Sequence, residues 1–369
     1  MKVESITVQN FKRFDDLGVS FKNKTLQEVT NRFLILGDNG TGKTTLLQAI
    51  ALPLALATKQ IQTVSEFDWV GFLPGRFWIG GSPHIELEIS FEDEELEATR
   101  SVARKWYNAQ PVEFRPHNFV EPGNSRLVKL TLNGEYWKIG EDNRLEERAQ
   151  FLGRYYAQRL LKSDPSARSE FSRLPGIFWF DQFRNLGSNP LPENRGDGQR
   201  DHTAGISFDF GVERLRQYLI EWDQRQRSPQ NNNSNDYLNQ LQTLYTKVFP
   251  ERSFNGVEYQ PSNDSPTEMN TYFTLYDGHR TYDIVEMSAG EQAVFPMLYE
   301  IVRQQVAYSI VLVDEIDLNL HPPAAQLLVN QLPKIAPTCQ FIFTTHSEAV
   351  NDVIGEEETY RLPGGSLCL

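Results

Sequence analysis

Residues 37–44 read Gly37-Asp38-Asn39-Gly40-Thr41-Gly42-Lys43-Thr44 and match the pattern G-x-x-x-x-G-K-[ST] at every fixed position. Residues 33–36 before this stretch are apolar and predict a buried strand, and residues 45–50 after it predict the first turns of a helix. A strand, a glycine-rich loop and a helix in this order let backbone N–H groups and the positive end of the helix dipole face phosphate oxygens. The stretch therefore predicts a phosphate-binding loop.

The side chains of this loop suit a nucleotide with magnesium. Lys43 is expected to reach the β- and γ-phosphates of ATP, which also makes it a catalytic candidate, and the Thr44 hydroxyl is expected to bind Mg²⁺. The residues predicted to bind the cofactor here are Asn39, Gly40, Thr41, Gly42, Lys43, Thr44 and Thr45.

The composition is that of an acidic protein without a disulfide framework. Lys and Arg number 36 and Asp and Glu 49, and the resulting net charge of −13 neither attracts nucleic acid non-specifically nor excludes a local basic stripe. Cys339 and Cys368 lack metal-type spacing and fit a reducing cytosol. No apolar run is long enough to span a bilayer, and the N-terminus lacks the apolar segment of a signal peptide. We therefore expect a cytoplasmic protein without membrane contact.

Local patterns predict several elements between the phosphate-binding loop and the C-terminal part of the chain. Residues 84–91 alternate between apolar and polar, which predicts a half-buried strand. Asn133-Gly134 and Asp277-Gly278 each separate two β-rich segments and predict hairpins. Pro53 is expected to bend or end the helix after the loop, because proline lacks the N–H that a helix interior needs. Further helices are predicted at residues 146–161, 212–222 and 237–249.

The middle of the chain also contains segments without regular patterning. Residues 185–205 are rich in Gly, Pro, Asn and Asp and predict a long loop, and residues 225–236 predict a flexible linker. Such segments are suited to contact with a partner. The basic cluster at residues 168–173 is either a solvated surface or a contact for nucleic acid, and the sequence leaves both open.

Two strands near the C-terminus end in groups that can hydrolyse a phosphate bond. Residues 309–313 are apolar and lead into Asp314 and Glu315, at the strand end where a parallel sheet binds its ligand. Asp314 can hold the Mg²⁺ shell, and Glu315 can orient and deprotonate the attacking water. Residues 341–345 predict a neighbouring strand that leads into His346. This histidine is either structural or in contact with the γ-phosphate or the attacking water.

Residues 288–292 read Ser-Ala-Gly-Glu-Gln and precede a predicted helix at residues 293–304. Ser288 and Glu291 have the spacing of a capping box, which predicts Ser288 as the N-cap. A Ser-Gly pair at a helix start is also suited to bind an anion. Helix capping alone would explain the pattern equally well.

The order of these motifs resembles the ATPase heads of the ABC superfamily, in the branch of SMC, RecF and OLD-type proteins. Residues 10–14, Asn-Phe-Lys-Arg-Phe, resemble the N-terminal N-F-K/R-x-F segment of that branch. Residues 314–322, Asp-Glu-Ile-Asp-Leu-Asn-Leu-His-Pro, resemble its D-E-P-E-x-x-L-H-P stretch. The motifs bracket nearly the whole chain.

The resemblance implies an α/β fold of the P-loop NTPase class: a two-lobed ABC-type head with a mixed sheet core and an inserted helical and loop region. Residues 1–100 would form the N-terminal part of the ATPase lobe and residues 101–266 the inserted region. Residues 267–369 would carry the signature segment, the paired acids and the histidine.

The resemblance also implies a head-to-tail dimer in which each ATP lies between two copies of the chain. Ser288, Gly290 and Glu291 would then bind the nucleotide of the partner copy. Ala289 departs from the glycine that is commonest in this signature, which would weaken the contact with the γ-phosphate. The long coiled coil of SMC proteins is absent, which argues against tethering of DNA between heads.

Further site residues follow from the same resemblance. Lys12 and Arg13, in the N-terminal segment, are expected to contact the nucleotide. Gln182, just after the apolar residues 176–180, is expected to be the glutamine that links Mg²⁺ to motion of the lobes. The metal-site residues predicted are Thr44, Asp314 and Gln182, and the catalytic residues are Glu315, His346 and Lys43.

The function predicted is an ATP-hydrolysing switch that controls a separate effector, such as a nuclease or toxin of a defence system. The residues after His346 are too few for another catalytic domain, so we expect output chemistry to come from that partner. Two alternatives stay open: a DNA-binding repair ATPase similar to RecF, and an ATP-gated assembly scaffold with negligible turnover.

Overall fold

The structure is a computed structural model that describes residues 1–77, 81–182, 208–227, 236–261 and 269–364, with the side chains of the third range described from residue 215 onward. The predicted loop at residues 185–205, most of the predicted linker at residues 225–236 and Cys368 lie outside these ranges. Residues 225–227 of that linker are helical.

The strands account for three sheets. They are β1 Lys2–Phe11, β2 Phe14–Ser20, β3 Arg32–Leu36, β4 His84–Ser90, β5 Leu127–Asn133, β6 Tyr136–Ile139, β7 Ile177–Phe180, β8 Ser253–Pro261, β9 Met269–Tyr276, β10 Thr281–Asp283, β11 Ile310–Val313, β12 Gln340–Thr345 and β13 Thr359–Arg361.

The α-helices lie between these strands and are joined by short 3₁₀ turns. They are α1 Lys43–Ala57, α2 Asp93–Ala109, α3 Leu145–Ala149, α4 Gly153–Leu160, α5 Phe208–Arg227, α6 Tyr237–Val248, α7 Ala289–Arg303, α8 Pro322–Ile335 and α9 Glu348–Ile354.

The central sheet is parallel and has the strand order β13-β3-β12-β11-β7. In register, Val313 of β11 pairs with Phe343 of β12 on one side and with Phe180 of β7 on the other. On the far side of β12, Leu36 of β3 pairs with Thr345. The carboxyl ends of these strands therefore meet at one edge of the sheet, where an open α/β sheet binds its ligand.

A second five-stranded sheet is antiparallel, with the order β2-β1-β4-β5-β6. The predicted alternation at residues 84–91 is confirmed, because β4 buries Ile85, Leu87 and Ile89 completely. The hairpin predicted at Asn133-Gly134 is also confirmed, since β5 pairs with β6 across this turn. Gly134 has a φ of 59°, a conformation that glycine adopts at little steric cost.

Helix α1 continues through Pro53 to Ala57, so the prediction that this residue ends the helix is wrong, and the predicted bend stays a prediction. Apart from Thr44, its residues are buried, and leucines, isoleucine and alanines on all its faces contribute to the core that also contains β1 and β4. Burial of a large side chain contributes about 1.5–3 kcal/mol. Several such side chains together offset the roughly 3 kcal/mol that a proline costs inside a helix.

The helix predicted at residues 146–161 is present but interrupted. Helix α3 ends at Ala149, residues 150–152 form a 3₁₀ turn, and α4 begins at Gly153. A Cβ at Gly153 would lie 2.8 Å from the hydroxyl of Thr99 on α2. The glycine therefore permits the close approach of α4 to α2.

The contacts divide the chain into two compact units. The first contains Met1–Gln182, Gln305–Asp317 and Leu328–Leu369, and the second contains Phe183–Gln304 and Leu318–Leu327. By contacts, residues 101–182 therefore belong with the N-terminal residues. The division by function into residues 1–100, 101–266 and 267–369 stays a prediction.

The second unit contains the three-stranded antiparallel sheet β10-β9-β8 and helices α5, α6 and α7. Strand β9 pairs with β10, which confirms the hairpin predicted at Asp277-Gly278. Tyr245 of α6 contacts Phe295 of α7 at a ring distance of 5.3 Å, and both rings are fully buried. Among the helices described here, none has the length and apolar character that crossing a membrane requires.

Candidate active site

The loop between β3 and α1 has the backbone conformation that its glycines allow. Gly40 and Gly42 have φ values of 80° and 108°, and Gly42 is the N-cap of α1. A Cβ at Gly42 would lie 2.7 Å from atoms of both Arg13 and Phe14, so a larger residue would displace these side chains. Asn39 and Gly40 are exposed, whereas Thr41 is buried.

Lys43 is held inside this loop. Its ammonium group donates to the carbonyl oxygens of Gly37 at 2.8 Å and Asp38 at 3.1 Å, and only 5% of the residue is exposed. Burial lowers the pKa of Lys43, while the carboxylates of Glu315 and Asp314 oppose that change. The cation therefore lies among the groups that would surround a phosphate.

Asp314 joins the loop to the end of β11. The Thr44 hydroxyl donates to Asp314 Oδ2 at 2.6 Å, and the Thr344 hydroxyl on β12 donates to Asp314 Oδ1 at 2.6 Å. Asp314 is 1% exposed. Thr44 and Asp314, two of the residues predicted for the metal site, are thus in direct contact although they lie 270 positions apart in sequence.

Glu315 leaves β11 in a left-handed conformation, with a φ of 46°. Its backbone N–H donates to the Thr344 hydroxyl at 2.8 Å, and the residue is half-buried. Non-glycine residues in this conformation cost about 1–3 kcal/mol and persist where the surrounding structure determines them. The conformation places Glu315 at the carboxyl edge of the parallel sheet.

His346 directly follows β12 and is exposed at the same edge. The preceding residue, Thr345, donates its hydroxyl to Asp317, and the pKa of Lys43 responds to the charge of Asp317 as well. Asp317 is not among the site residues predicted from the sequence. Its position two residues after Glu315, in a run of carboxylates after an apolar strand, could have pointed to it.

Gln182 follows β7, the strand next to β11. The Asp314 N–H donates to the Phe180 carbonyl oxygen at 2.9 Å, so the end of β7 is hydrogen-bonded to the residue that carries the site's carboxylate. Gln182 is half-buried two residues beyond this bond. The structure therefore places Gln182 at the predicted edge of the sheet.

Lys12 and Arg13 differ in what they contact. The Lys12 ammonium donates to Gln48 Oε1 at 2.7 Å and to the Gly71 carbonyl oxygen at 2.9 Å, and burial lowers its pKa. Arg13 is exposed, and a Cβ at Gly40 would lie 3.9 Å from its Nη1 atom. The Arg13 guanidinium therefore lies beside the phosphate-binding loop, whereas the Lys12 ammonium bonds to Gln48 and Gly71.

The predicted capping box at the start of α7 is confirmed. The Ser288 N–H donates to Glu291 Oε2 at 2.9 Å, and the Glu291 N–H donates to the Ser288 hydroxyl at 3.4 Å. Ser288 and Ala289 are exposed, and Gly290 is half-buried. The first turn of α7 thus presents a surface on which an anion could bind.

Glu291 itself faces inward, with 2% of the residue exposed. Oε1 accepts hydrogen bonds from the hydroxyls of Tyr245 and Tyr282 and lies 3.3 Å from Arg252 Nε. Oε2 accepts the Ser288 hydroxyl at 2.7 Å in addition to the Ser288 N–H. Burial by itself would raise the pKa of Glu291, but hydrogen bonds from Tyr245, Tyr282 and Ser288 outweigh burial and the pKa is lowered.

The residues at the sheet edge fit a nucleotide with Mg²⁺. In proteins this ion is held through one or two carboxylates and phosphate oxygens, and it keeps several waters. Asp314 and Thr44 offer such oxygens beside a glycine loop that a Cβ would obstruct. Within the ranges that the structure describes, no group of three or more His, Cys, Asp or Glu side chains could hold a metal by itself.

Two family models match the chain. The model described as "AAA ATPase domain" matches residues 1–104, and the model described as "AAA domain, putative AbiEii toxin, Type IV TA system" matches residues 179–352. The first match contains the phosphate-binding loop, and the second contains the signature segment, the paired acids and His346.

Curated relatives extend over nearly the whole chain. The "Retron Vc95 probable ATPase" of Vibrio cholerae is 21% identical, covering 97% of this chain and 73% of that protein. The "Septu protein PtuA" of Bacillus mycoides is 24% identical, covering 94% of this chain and 38% of that protein. Among solved structures, the Smc head bound to the C-winged helix domain of ScpA is 12% identical with a TM-score of 0.49, and the match covers 96% of this chain and 92% of that one.

The family models and the site geometry lead to the same assignment. The ABC-type head of the SMC and RecF branch stays a prediction. The matches to AAA domains support an ATPase with the P-loop NTPase fold that the sequence predicted. The prediction of ATPase activity is confirmed at the level of this family. The roles of individual site residues stay predictions.

Proposed function

We propose that this ATPase is a switch: two copies close head-to-tail around ATP, hydrolysis reopens them, and the cycle controls a partner protein in a defence system against phage. The observation that carries the proposal is the contact between Thr44 and Asp314 at the carboxyl edge of the parallel sheet, with Glu315 as the next residue. This arrangement joins a phosphate-binding loop to a paired acid, as ATP hydrolysis requires.

Each residue at this edge has a separate task in hydrolysis. Lys43, held in the loop, stabilises charge on the β- and γ-phosphates. Thr44 and Asp314 would hold Mg²⁺, which would neutralise charge on the phosphate oxygens. Glu315 accepts a proton from the attacking water, and exposed His346 orients that water or the γ-phosphate.

The start of α7 supports the dimer in this proposal. Ser288 and Ala289 are exposed at the N-terminus of a 15-residue helix, so the positive end of that helix faces outward. In the proposed dimer this end binds the γ-phosphate held by the other copy. Glu291 then acts by holding Ser288 in place, because both of its oxygens are occupied by protein donors.

The defence role rests on the named relatives. One is a retron ATPase and one is a Septu protein, and the chain spans 73% and 38% of their respective lengths. The second relative is thus much longer than this chain. A nuclease or toxin that responds to ATP-driven closure is the partner we propose.

The catalytic assignment can be tested by phosphate release from ATP at steady state. Lys43→Ala should abolish nucleotide binding or turnover, and Glu315→Gln should bind ATP but lose about 10²- to 10⁴-fold in kcat, the usual contribution of a general base. Exposed Lys334 and Glu113 provide the matched controls Lys334→Ala and Glu113→Gln, which should behave as the wild-type protein. Normal turnover in Glu315→Gln would refute the assignment of the base.

The same assay separates a switch from a scaffold, because a scaffold with negligible turnover would release phosphate no faster than Glu315→Gln. Closure of the dimer can be measured by sedimentation of Glu315→Gln with and without ATP, and an unchanged mass would contradict it. The partner can be sought by purification from the native host and mass spectrometry. A homo-oligomer that cleaves DNA after rigorous repurification would favour the DNA-repair alternative.

A further inference from the structure

A buried hydroxyl lies between the two carboxylate-bearing residues of the site. Thr344 of β12 is fully buried. Its hydroxyl donates to Asp314 Oδ1 at 2.6 Å and accepts the backbone N–H of Glu315 at 2.8 Å. Its carbonyl oxygen accepts the N–H of Ile316 at 3.0 Å. One residue thus contacts three consecutive residues at the end of the neighbouring strand.

These contacts determine how β11 ends. Glu315 has a φ of 46°, which requires compensation from its surroundings in a residue with a side chain. The hydrogen bonds to the N–H groups of Glu315 and Ile316 flank this turn on both sides and supply that compensation. The direction in which the Glu315 side chain leaves the strand therefore depends on Thr344.

The same hydroxyl orients the carboxylate of Asp314. Oδ2 accepts the Thr44 hydroxyl, so a single bond on that side leaves the carboxylate free to rotate about it. The bond from Thr344 to Oδ1 restrains the opposite oxygen and so determines the plane of the group. A carboxylate uses this plane to direct its lone pairs at a cation.

We infer that Thr344 is a positioning residue for ATP hydrolysis, acting through Asp314 and Glu315 together. The inference rests on the roles proposed for these two acids. It predicts a loss in the chemical step with little loss in ATP binding, because Thr344 is fully buried and bonds to the Asp314 oxygen opposite the one that accepts Thr44. A displacement of about 1 Å at a reacting group can lower the rate by about 100-fold.

The test compares variants that remove the hydroxyl with one that keeps it. Thr344→Val preserves the shape, Thr344→Ala removes the hydroxyl together with the methyl group, and Thr344→Ser removes only the methyl group. The two variants without a hydroxyl should lose about 10- to 100-fold in kcat, and Thr344→Ser should stay within about threefold of the wild-type protein. Comparison of serine with alanine isolates the hydroxyl even if Thr344→Val does not fold.

Thr359 provides the matched control. It is a fully buried threonine of the same sheet, and its hydroxyl donates to the Gly355 carbonyl oxygen at 2.8 Å. Thr359→Val should keep kcat within about twofold of wild type, since the partner of its hydroxyl, Gly355, is not one of the residues proposed for the site. A loss in Thr359→Val as large as that in Thr344→Val would show a general effect of a buried hydroxyl and overturn the inference.

ATP binding is measured in the Glu315→Gln background, where hydrolysis does not interfere. Thr344→Val should change the Kd for ATP by less than about threefold there, which is the pattern of an interaction needed only for the chemical step. Turnover by Thr344→Val and Thr344→Ala within threefold of wild type would overturn the inference alone. Turnover by Glu315→Gln itself would instead overturn the proposed function.

Discussion

Two buried carboxylates of this protein, Asp314 and Glu291, are held in opposite ways. Asp314 accepts hydrogen bonds from the hydroxyls of Thr44 and Thr344, one on each oxygen. Glu291 accepts two tyrosine hydroxyls on one oxygen, and the N–H and hydroxyl of Ser288 on the other. The Arg252 guanidinium lies 3.3 Å from the first of these oxygens.

The difference suits Asp314 to the binding role proposed for it and Glu291 to a structural role. An ionised carboxylate offers about four lone-pair positions. The two hydrogen bonds on Asp314 leave lone-pair positions for a cation. A threonine hydroxyl can also change from donor to acceptor when a cation binds the carboxylate. The donors around Glu291 occupy all of its lone-pair positions. In the proposed function, Asp314 would therefore act at the phosphates, and Glu291 would hold the first turn of α7.

The largest expected effect is on turnover when the binding carboxylate is neutralised. Asp314→Asn should lower kcat by about 100-fold or more, because a charged ligand of Mg²⁺ is lost. The unfolding free energy should change by less than about 1 kcal/mol, because one threonine hydroxyl can still donate to the amide oxygen and the other can rotate to accept from the amide NH2. Phosphate release and urea unfolding measure the two quantities. Turnover by Asp314→Asn within tenfold of wild type would show that Asp314 lacks the binding role that distinguishes it from Glu291.

A second substitution tests whether the signature segment, residues 288–292, acts on the nucleotide of another copy of the chain. Ser288→Arg should leave ATP binding to an isolated subunit intact but lower turnover by about 100-fold, because the arginine blocks the approach of the partner's phosphates. Mixed with Lys43→Ala, it can rebuild at most one good site in each dimer. Ser82→Arg, at another exposed serine, is the control. Wild-type hydrolysis by Ser288→Arg subunits would show that the signature segment does not act in trans.

Substitution of Glu291 should show the opposite pattern to Asp314→Asn, with stability changing more than turnover. Glu291→Gln should lower the unfolding free energy by about 2 kcal/mol at pH 7, because buried donors lose a charged acceptor. Turnover should fall by about tenfold, through the displaced Ser288, which is less than the loss in Asp314→Asn. Glu113→Gln, at an exposed position, is the control for the substitution itself.

The difference in unfolding free energy between wild type and Glu291→Gln depends on pH because the pKa of Glu291 is lowered. A carboxyl group whose pKa is lower in the folded state stabilises the fold above its ordinary value of 4.5 and loses that contribution as the pH falls through the lowered value. The difference between wild type and Glu291→Gln should therefore be full at pH 7 and shrink below pH 4.5. Urea unfolding at several pH values measures it, and a difference that grows on acidification would contradict the lowered pKa.

Much of the fold follows from local patterns in the sequence. The phosphate-binding loop, the apolar strands that end in Asp314 and His346, two hairpins and the capping box of Ser288 are all present as predicted. These features depend on residues close together in the chain, where side-chain type and spacing control the backbone directly. The exception, Pro53, is local in sequence but is buried in the core, and the packing around it outweighs its helix-breaking effect.

The partners of the site residues were decided by tertiary structure. Thr344 meets Asp314 across 30 positions because β11 and β12 pair in one particular register, and a shift by one residue would turn Thr344 to the other face. Tyr245 reaches Glu291 across 46 positions because α6 packs against α7. The sequence by itself therefore determined which residues are predicted to carry the chemistry. Which of them are free for a ligand, and which are committed to the fold, depends on contacts between distant residues that no local pattern records.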